Sequence, residues 1–273
     1  MKNPFSYRGK RIVITGAYSG VGAAAVELLS DLGASEIIAL DIKKPDGPIA
    51  RFIETNMGDP AAIDAAAGAI DGPIDVLFNN AGIAATHPAL DVMKVNYLGP
   101  RRLSEALLPK ISEGGAIAFT ASIAGGQWAG HLADILQLLA IADREKAIAW
   151  IEEHAELVGG GYEFSKECVQ VYTMLSSKST MARGVRTNSL CPGPIDTPLL
   201  PEFKQTMTEG IINWQVEQSH GKMASSEDVA KALVFLGCDA SAFVNGANLA
   251  ADMGFSAALT TGQLDFSTLP KLG

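Results

Sequence analysis

The sequence predicts an α/β fold with a parallel sheet, on three observations. Short apolar runs alternate with amphipathic helical stretches, the first run passes through a glycine-rich turn straight into a helix, and no linker interrupts the pattern. Strand, helix, strand repeats of this kind call for right-handed crossovers. The 273 residues suit one domain, 1–273, with a substantial core.

The elements follow in order. Residues 12–14 are an apolar run short enough for a buried strand. Thr15, Gly16, Gly20 and Gly22 come next, then the amphipathic stretch AAAVELLSDLG, which stops at Gly33. In that context the glycines let the main chain approach a pyrophosphate, whose charge sits at the helix N-terminus. The spacing departs from Gly-x-Gly-x-x-Gly, and an ordinary glycine-rich turn is the competing reading. The second run, 36–40, leads into Asp41, 19 residues beyond Gly22. A carboxylate at that offset accepts hydrogen bonds from an adenosine ribose and repels a 2′-phosphate, favouring NAD over NADP. Lys43 and Lys44 follow; a lysine there could pair with that phosphate, but a solvated loop is the preferred reading. A more polar run at 52–57 suits a short strand. Further runs at 74–78, 116–120, 185–190 and 247–251 read as strands, and helical stretches separate most of them. Ligands bind such sheets beyond the carboxyl ends of the strands.

Tyr162 and Lys166 stand one helical turn apart in GYEFSKECVQVYTML, so both side chains reach one small ligand. A phenol is a poor base at neutral pH; a neighbouring ammonium favours the phenolate and pulls its pKa down. That pair can move a proton on or off a hydroxyl, although the same spacing also arises by chance in many helices.

Taken in order, TGAYSGVG, NNAG at 79–82, Asn96, Ser122, Tyr162-x-x-x-Lys166 and PGPIDT at 192–197 resemble the short-chain dehydrogenase/reductase family over about residues 8–255. The resemblance implies a single Rossmann-type, doubly wound parallel sheet with helices on both faces, and hydride transfer between a nicotinamide and a carbonyl or alcohol. It makes Tyr162 the acid/base, and Lys166 the residue that binds the nicotinamide ribose and lowers the tyrosine pKa. Ser122 would hydrogen-bond the substrate oxygen, and Asn96 would hold a water that relays protons from Lys166. Gly16, Ser19, Gly20, Val21 and Gly22 resemble the pyrophosphate turn and Asp41 the ribose acceptor. Asn56 and Met57 would flank the adenine. Asn79, Ala81 and Gly82 would line the adenosine ribose side, and Pro192, Gly193, Ile195 and Thr197 would fix the carboxamide.

Ser122 and Tyr162 are 40 residues apart, against roughly a dozen in most of the family. The extra material at about 127–158 carries apolar residues at helical intervals, suggesting two short amphipathic helices. Such an insertion resembles the branch of 3α-hydroxysteroid dehydrogenase/carbonyl reductases and coniferyl-alcohol dehydrogenases. Beside the Tyr162 helix it would cover a face used for tetramer contacts, which points to a homodimer, with a tetramer as the alternative.

Residues of about 197–223 would form a mobile lid. Its Phe203, Met207, Ile211, Ile212 and Trp214 suit a hydrophobic alcohol or ketone, a steroid, terpenoid or aromatic, unless they pack inward instead. Trp128 is a second candidate for the pocket wall. A sugar or polyol dehydrogenase, a β-ketoacyl reductase and a non-enzymatic dinucleotide sensor are the competing functions. The tail at 256–273, with Phe266 and Leu269, would dock on a partner subunit or fray.

Composition narrows the partners. A net charge of −9 argues against nucleic acid or an anionic membrane. No run of 18 apolar residues appears, and the N-terminus lacks a secretory apolar region. Cys168, Cys191 and Cys238 show no paired spacing, which suggests a cytoplasmic protein. His87, His131, His154 and His220 form no metal motif, so no metal is assigned.

Overall fold

The computed structural model describes residues 3–219 and 221–270. His220 and residues 271–273, at the end of the tail, lie outside the described residues. Seven parallel strands form one sheet: β1 (Arg11–Thr15), β2 (Glu36–Asp41), β3 (Arg51–Glu54), β4 (Ile74–Asn79), β5 (Ile111–Thr120), β6 (Arg186–Pro192) and β9 (Asn248–Ala251). Their order is β3-β2-β1-β4-β5-β6-β9, and a two-residue parallel pair, β7 (Ile195–Asp196) and β8 (Ala224–Ser225), stands apart. The order reverses between β1 and β4, where the crossovers part to opposite faces and leave a crevice above the strand ends. Every strand anticipated from the apolar runs is present, including the polar one at 51–54.

Each central strand feeds two cores because successive side chains point to opposite faces. Val13, Ile38, Leu40, Leu77, Ile117 and Phe119 join one apolar cluster, and Ile12, Ile14, Ile37, Ala39, Val76 and Phe78 join the other. Both faces are covered, as an all-parallel sheet requires. Strand β6 is buried along its whole length despite carrying Arg186, Thr187, Asn188 and Ser189. Thr187 Oγ1 pairs with Thr180 Oγ1 at 2.8 Å, and the segment 236–248 satisfies the others: Arg186 donates to the carbonyls of Leu236 (2.9 Å) and Cys238 (3.2 Å), Asn188 donates to Val244 O (2.8 Å), and Ser189 donates to Asn248 Oδ1 (2.6 Å).

The insertion holds three helices rather than two: Leu132–Ala140, Arg144–Glu153 and a single turn, Ala155–Val158. They pack on helix Tyr162–Met181, where Trp150 stacks between His154 (centroids 3.8 Å) and Phe164 (6.2 Å). At their start His131 Nδ1 lies 2.7 Å from Oε2 of the buried Glu167. Burial pushes the Glu167 carboxyl pKa up, while the hydrogen bond to His131 draws it down. A buried carboxylate stripped of its partner is costly, but His131 is half-exposed and water would partly replace it. Replacing His131 with Ala should therefore lower unfolding stability by about 1–2 kcal/mol. A denaturant titration checks this through a reduced midpoint with an unchanged slope.

Candidate active site

The first strand-to-helix turn is built on backbone contact. A Cβ on Gly16, whose φ is +69°, would lie 2.6 Å from the Ala81 Cα, and one on Gly22 would lie 1.9 Å from the Gly16 carbonyl oxygen. Only glycine permits either approach. Thr15 Oγ1 accepts from the amides of Asn80 and Ala81, both at 3.0 Å, and Asn80 Nδ2 donates to Gly16 O at 3.1 Å. The two chain segments are thus held edge to edge. Ser19 opens helix Gly20–Asp31 without a side-chain cap bond, so the first amides keep their donors for another acceptor. Asp41, ending β2, accepts from the amides of Tyr18 (2.9 Å) and Lys43 (3.2 Å) and so braces the turn. Lys43, read from sequence as solvated, lies over the Tyr18 ring, 5.3 Å from its centroid.

A cleft of about 1100 Å³ runs along the strand ends. Of the residues singled out from sequence, it is lined by Gly16, Ser19, Gly20, Val21, Asp41, Asn56, Met57, Ala81, Gly82, Ser122, Tyr162, Lys166, Pro192, Gly193, Ile195 and Thr197. Trp128, Phe203, Met207 and Trp214 line it too. Ile211 of the apolar 203–214 group does not line it, and three of the expected cofactor and catalytic residues stand back from it. Gly22 packs on Gly16 instead. Asn79 turns into the core, where Nδ2 donates to Ser104 Oγ at 2.9 Å and Oδ1 is buried with no partner; Asn80 takes the cleft side. Alternation along β4 explains that correction. Asn96 is buried in a π-helical turn, Lys94–Leu98. Its amide is occupied by the Ile83 backbone, accepting from N at 2.9 Å and donating to O at 3.0 Å, and it anchors the 82–83 loop beside Lys166.

Tyr162 opens its helix after Gly161, whose φ of +83° and close approach to Ala89 O leave no room for a side chain. One turn on, Lys166 Nζ donates to Thr120 O at 2.9 Å and lies 5.6 Å from the Tyr162 ring centroid. Ser122 follows β5 and caps the short turn Ile123–Gly125; Gln170 Nε2 fixes its carbonyl at 2.9 Å. Burial pushes the Tyr162 phenol up to about 12, against a hydrogen bond with Ser122 that lowers it, and pushes the Lys166 ammonium down to about 8. This corrects the sequence expectation: in the chain alone, desolvation outweighs any lysine effect, and Tyr162 is a neutral phenol at pH 7.

Helices Leu200–Met207 and Glu209–Glu217 close one side. The Phe203 ring meets the Tyr162 ring edge-on at 4.9 Å, and Glu202 reaches Thr86 Oγ1 across the mouth. Described residues of the tail fold back on the chain rather than fraying, and its Phe266 and Leu269 stay exposed. Phe255, Leu259 and Phe266 line the cleft, and Trp214 Nε1 donates to Asp265 O (3.3 Å) and Thr268 Oγ1 (3.0 Å). Sequence reasoning missed Phe255, just ahead of the tail, and Leu259, and gave Phe266 only as a residue that docks or frays; their apolar character was the available signal.

The glycine cradle, the uncapped helix start and the braced carboxylate fit a dinucleotide. Comparison with known proteins agrees. A family model described as short chain dehydrogenase matches residues 10–133, and one described as enoyl-(acyl carrier protein) reductase matches 151–256. Coniferyl-alcohol dehydrogenase of a Pseudomonas species is 31% identical over 90% of this chain and 96% of its own. The chain belongs to the short-chain dehydrogenase/reductase family. It is an oxidoreductase of that family. The 3-alpha-hydroxysteroid dehydrogenase/carbonyl reductase of Comamonas testosteroni is 30% identical, over 91% of this chain and 97% of its own. The crystal structure of 3-alpha-hydroxysteroid dehydrogenase from Pseudomonas sp. B-0831, complexed with NADH, superposes with a TM-score of 0.78 at 30% identity, covering 93% of this chain and 99% of that one. The two matched segments leave 134–150 between them, inside the insertion.

Burying Lys166 costs stability. Its pKa falls from the ordinary 10.5 to about 8, so the unfolded chain binds more protons between those values and stability rises with pH across that window. Below about pH 8 the full cost, about 3 kcal/mol, is present. Replacing Lys166 with Met should raise the melting temperature at pH 7, and the gain should shrink as pH climbs towards 10. Melting curves across that range check the sign.

Proposed function

We propose that this dehydrogenase interconverts a hydrophobic secondary alcohol and its ketone, of steroid, terpenoid or aromatic type, using NAD(H). The observation that carries the reading is the convergence of Tyr162, Ser122 and Lys166 where the glycine-rich turn meets an apolar wall. Gly16, Ser19, Gly20 and Val21 would hold the pyrophosphate, Asp41 the ribose, and Pro192, Gly193, Ile195 and Thr197 the nicotinamide side. The bound nicotinamide supplies the hydride acceptor or donor.

The chain's own residues handle the oxygen. In ketone reduction the Tyr162 phenol gives its proton to the substrate oxygen as negative charge develops there, and the Ser122 hydroxyl donates a second hydrogen bond. In alcohol oxidation the deprotonated phenol takes the hydroxyl proton. Lys166, charged at neutral pH and close to the Tyr162 ring, favours the phenolate. Asn96 fixes the 82–83 loop against the lysine and, as the family resemblance implies, would hold a water that relays protons from Lys166. Phe203, Met207, Trp128 and Trp214, with Phe255 and, from the tail, Leu259 and Phe266, give the substrate an apolar wall and exclude water. The names of the relatives support an alcohol of this type, because coniferyl alcohol and a hydroxysteroid are both hydrophobic. The insertion, packed on helix Tyr162–Met181, supports a homodimer; a solution mass of four subunits would oppose it.

Replacing Tyr162 with Phe should cut turnover by about 10²–10⁴-fold while NADH binding, read by fluorescence, stays within about twofold. Turnover at the parent rate would remove Tyr162 as the acid/base. The raised phenol also sets a pH dependence: alcohol oxidation should rise through the alkaline range, whereas ketone reduction, which needs the protonated phenol, should not. Initial rates in both directions across pH 6–10 would show the asymmetry.

A further inference from the structure

The insertion touches the far wall of the cofactor cleft. Arg144, the first residue of its second helix, donates from Nη2 to the carbonyl of Gly58 at 2.9 Å. Gly58 belongs to the turn after β3 that carries Asn56 and Met57. Within that turn Asn56 Oδ1 accepts from the Gly58 amide at 2.9 Å, so the side chain expected to serve the adenine spends its acceptor on the loop itself. Gly99 supports the turn from below: a Cβ there would fall 2.1 Å from the Met57 carbonyl oxygen. The carbonyl of Met57 is thus fixed by close packing and that of Gly58 by a guanidinium.

Arg144 is an odd choice for a structural brace. It stands near Arg102, whose own charge is taken by Asp64 through two bonds of 2.7 and 2.5 Å. Among the described residues Arg144 makes no ion pair, and its one polar partner is a neutral carbonyl. Burial presses its pKa downward, Glu145 and Asp59 act the other way, and the Arg102 charge adds to the lowering. A cavity of about 50 Å³ lies on the other side of Arg144 from the turn, lined also by Leu98, Arg102, Glu105 and Ile141.

We propose that Arg144 is a positioning residue for the adenine end of the dinucleotide, so that the insertion sets cofactor affinity as well as covering the helix that carries Tyr162. The guanidinium holds the Asn56–Gly58 turn in the shape that Met57 presents to the cleft. This rests on the NAD reading above.

The test is calorimetric titration of the unliganded chain with ADP-ribose and, separately, with nicotinamide mononucleotide, for the parent, Arg144→Met and Arg144→Lys. Arg144→Met should weaken ADP-ribose by about 5- to 20-fold. Arg144→Lys, which keeps a donor, should recover at least about half of that loss on a logarithmic scale. Binding of nicotinamide mononucleotide, which has no adenosine, should not change. In turnover the KM for NAD should rise with kcat unaltered. Equal ADP-ribose affinity in the parent and Arg144→Met would overturn the proposal. So would equal weakening of both ligands, the mark of a general structural role. A parent chain that binds no ADP-ribose would instead sink the cofactor reading beneath it.

Discussion

Lys166 reaches the Thr120 carbonyl at 2.9 Å from a position almost closed to solvent, and that bond ties the helix carrying Tyr162 to the end of β5. The rest of the site is arranged around it. Ser122 lies two residues past Thr120, and the Gln170 amide, one turn beyond the lysine, holds the Ser122 carbonyl. Asn96 fixes the loop whose Gly82 leaves space beside the ammonium. A charged side chain held where water is scarce is an unfavourable arrangement that the two apolar cores must offset. The same scarcity of water lets an ammonium act strongly on a neighbouring oxygen.

That tension explains why the Tyr162 expectation came out inverted. Spacing alone says that a lysine one turn from a tyrosine should favour the phenolate. Spacing does not report how deeply both groups are desolvated, and desolvation favours the neutral form of each.

Much of the architecture was legible because it rests on periodicity and on backbone rules. The strands showed as apolar runs, and Gly16 and Gly22 marked a place where only hydrogen fits. Asp41 was found by its offset from the turn, although its role as a brace for Tyr18 and Lys43 was hidden. Other features depend on which way a residue faces or on distant pairing. Asn79 and Asn80 are neighbours of the same type, and only the register of β4 decides which one sees the cleft. The return of the tail over Trp214 needs contacts between residues about 50 positions apart, and no local pattern announces such a pairing. The short helix Ala155–Val158 was too brief to leave a periodic signature.

Trp214 gathers helix Glu209–Glu217 and the tail into one body: Phe255, Leu264 and Phe266 pack around its ring, and Gln218 and Thr268 join the same patch by hydrogen bonds. One wall of the cleft is therefore made by two stretches of chain about 50 positions apart, and a substitution in either is felt by the other.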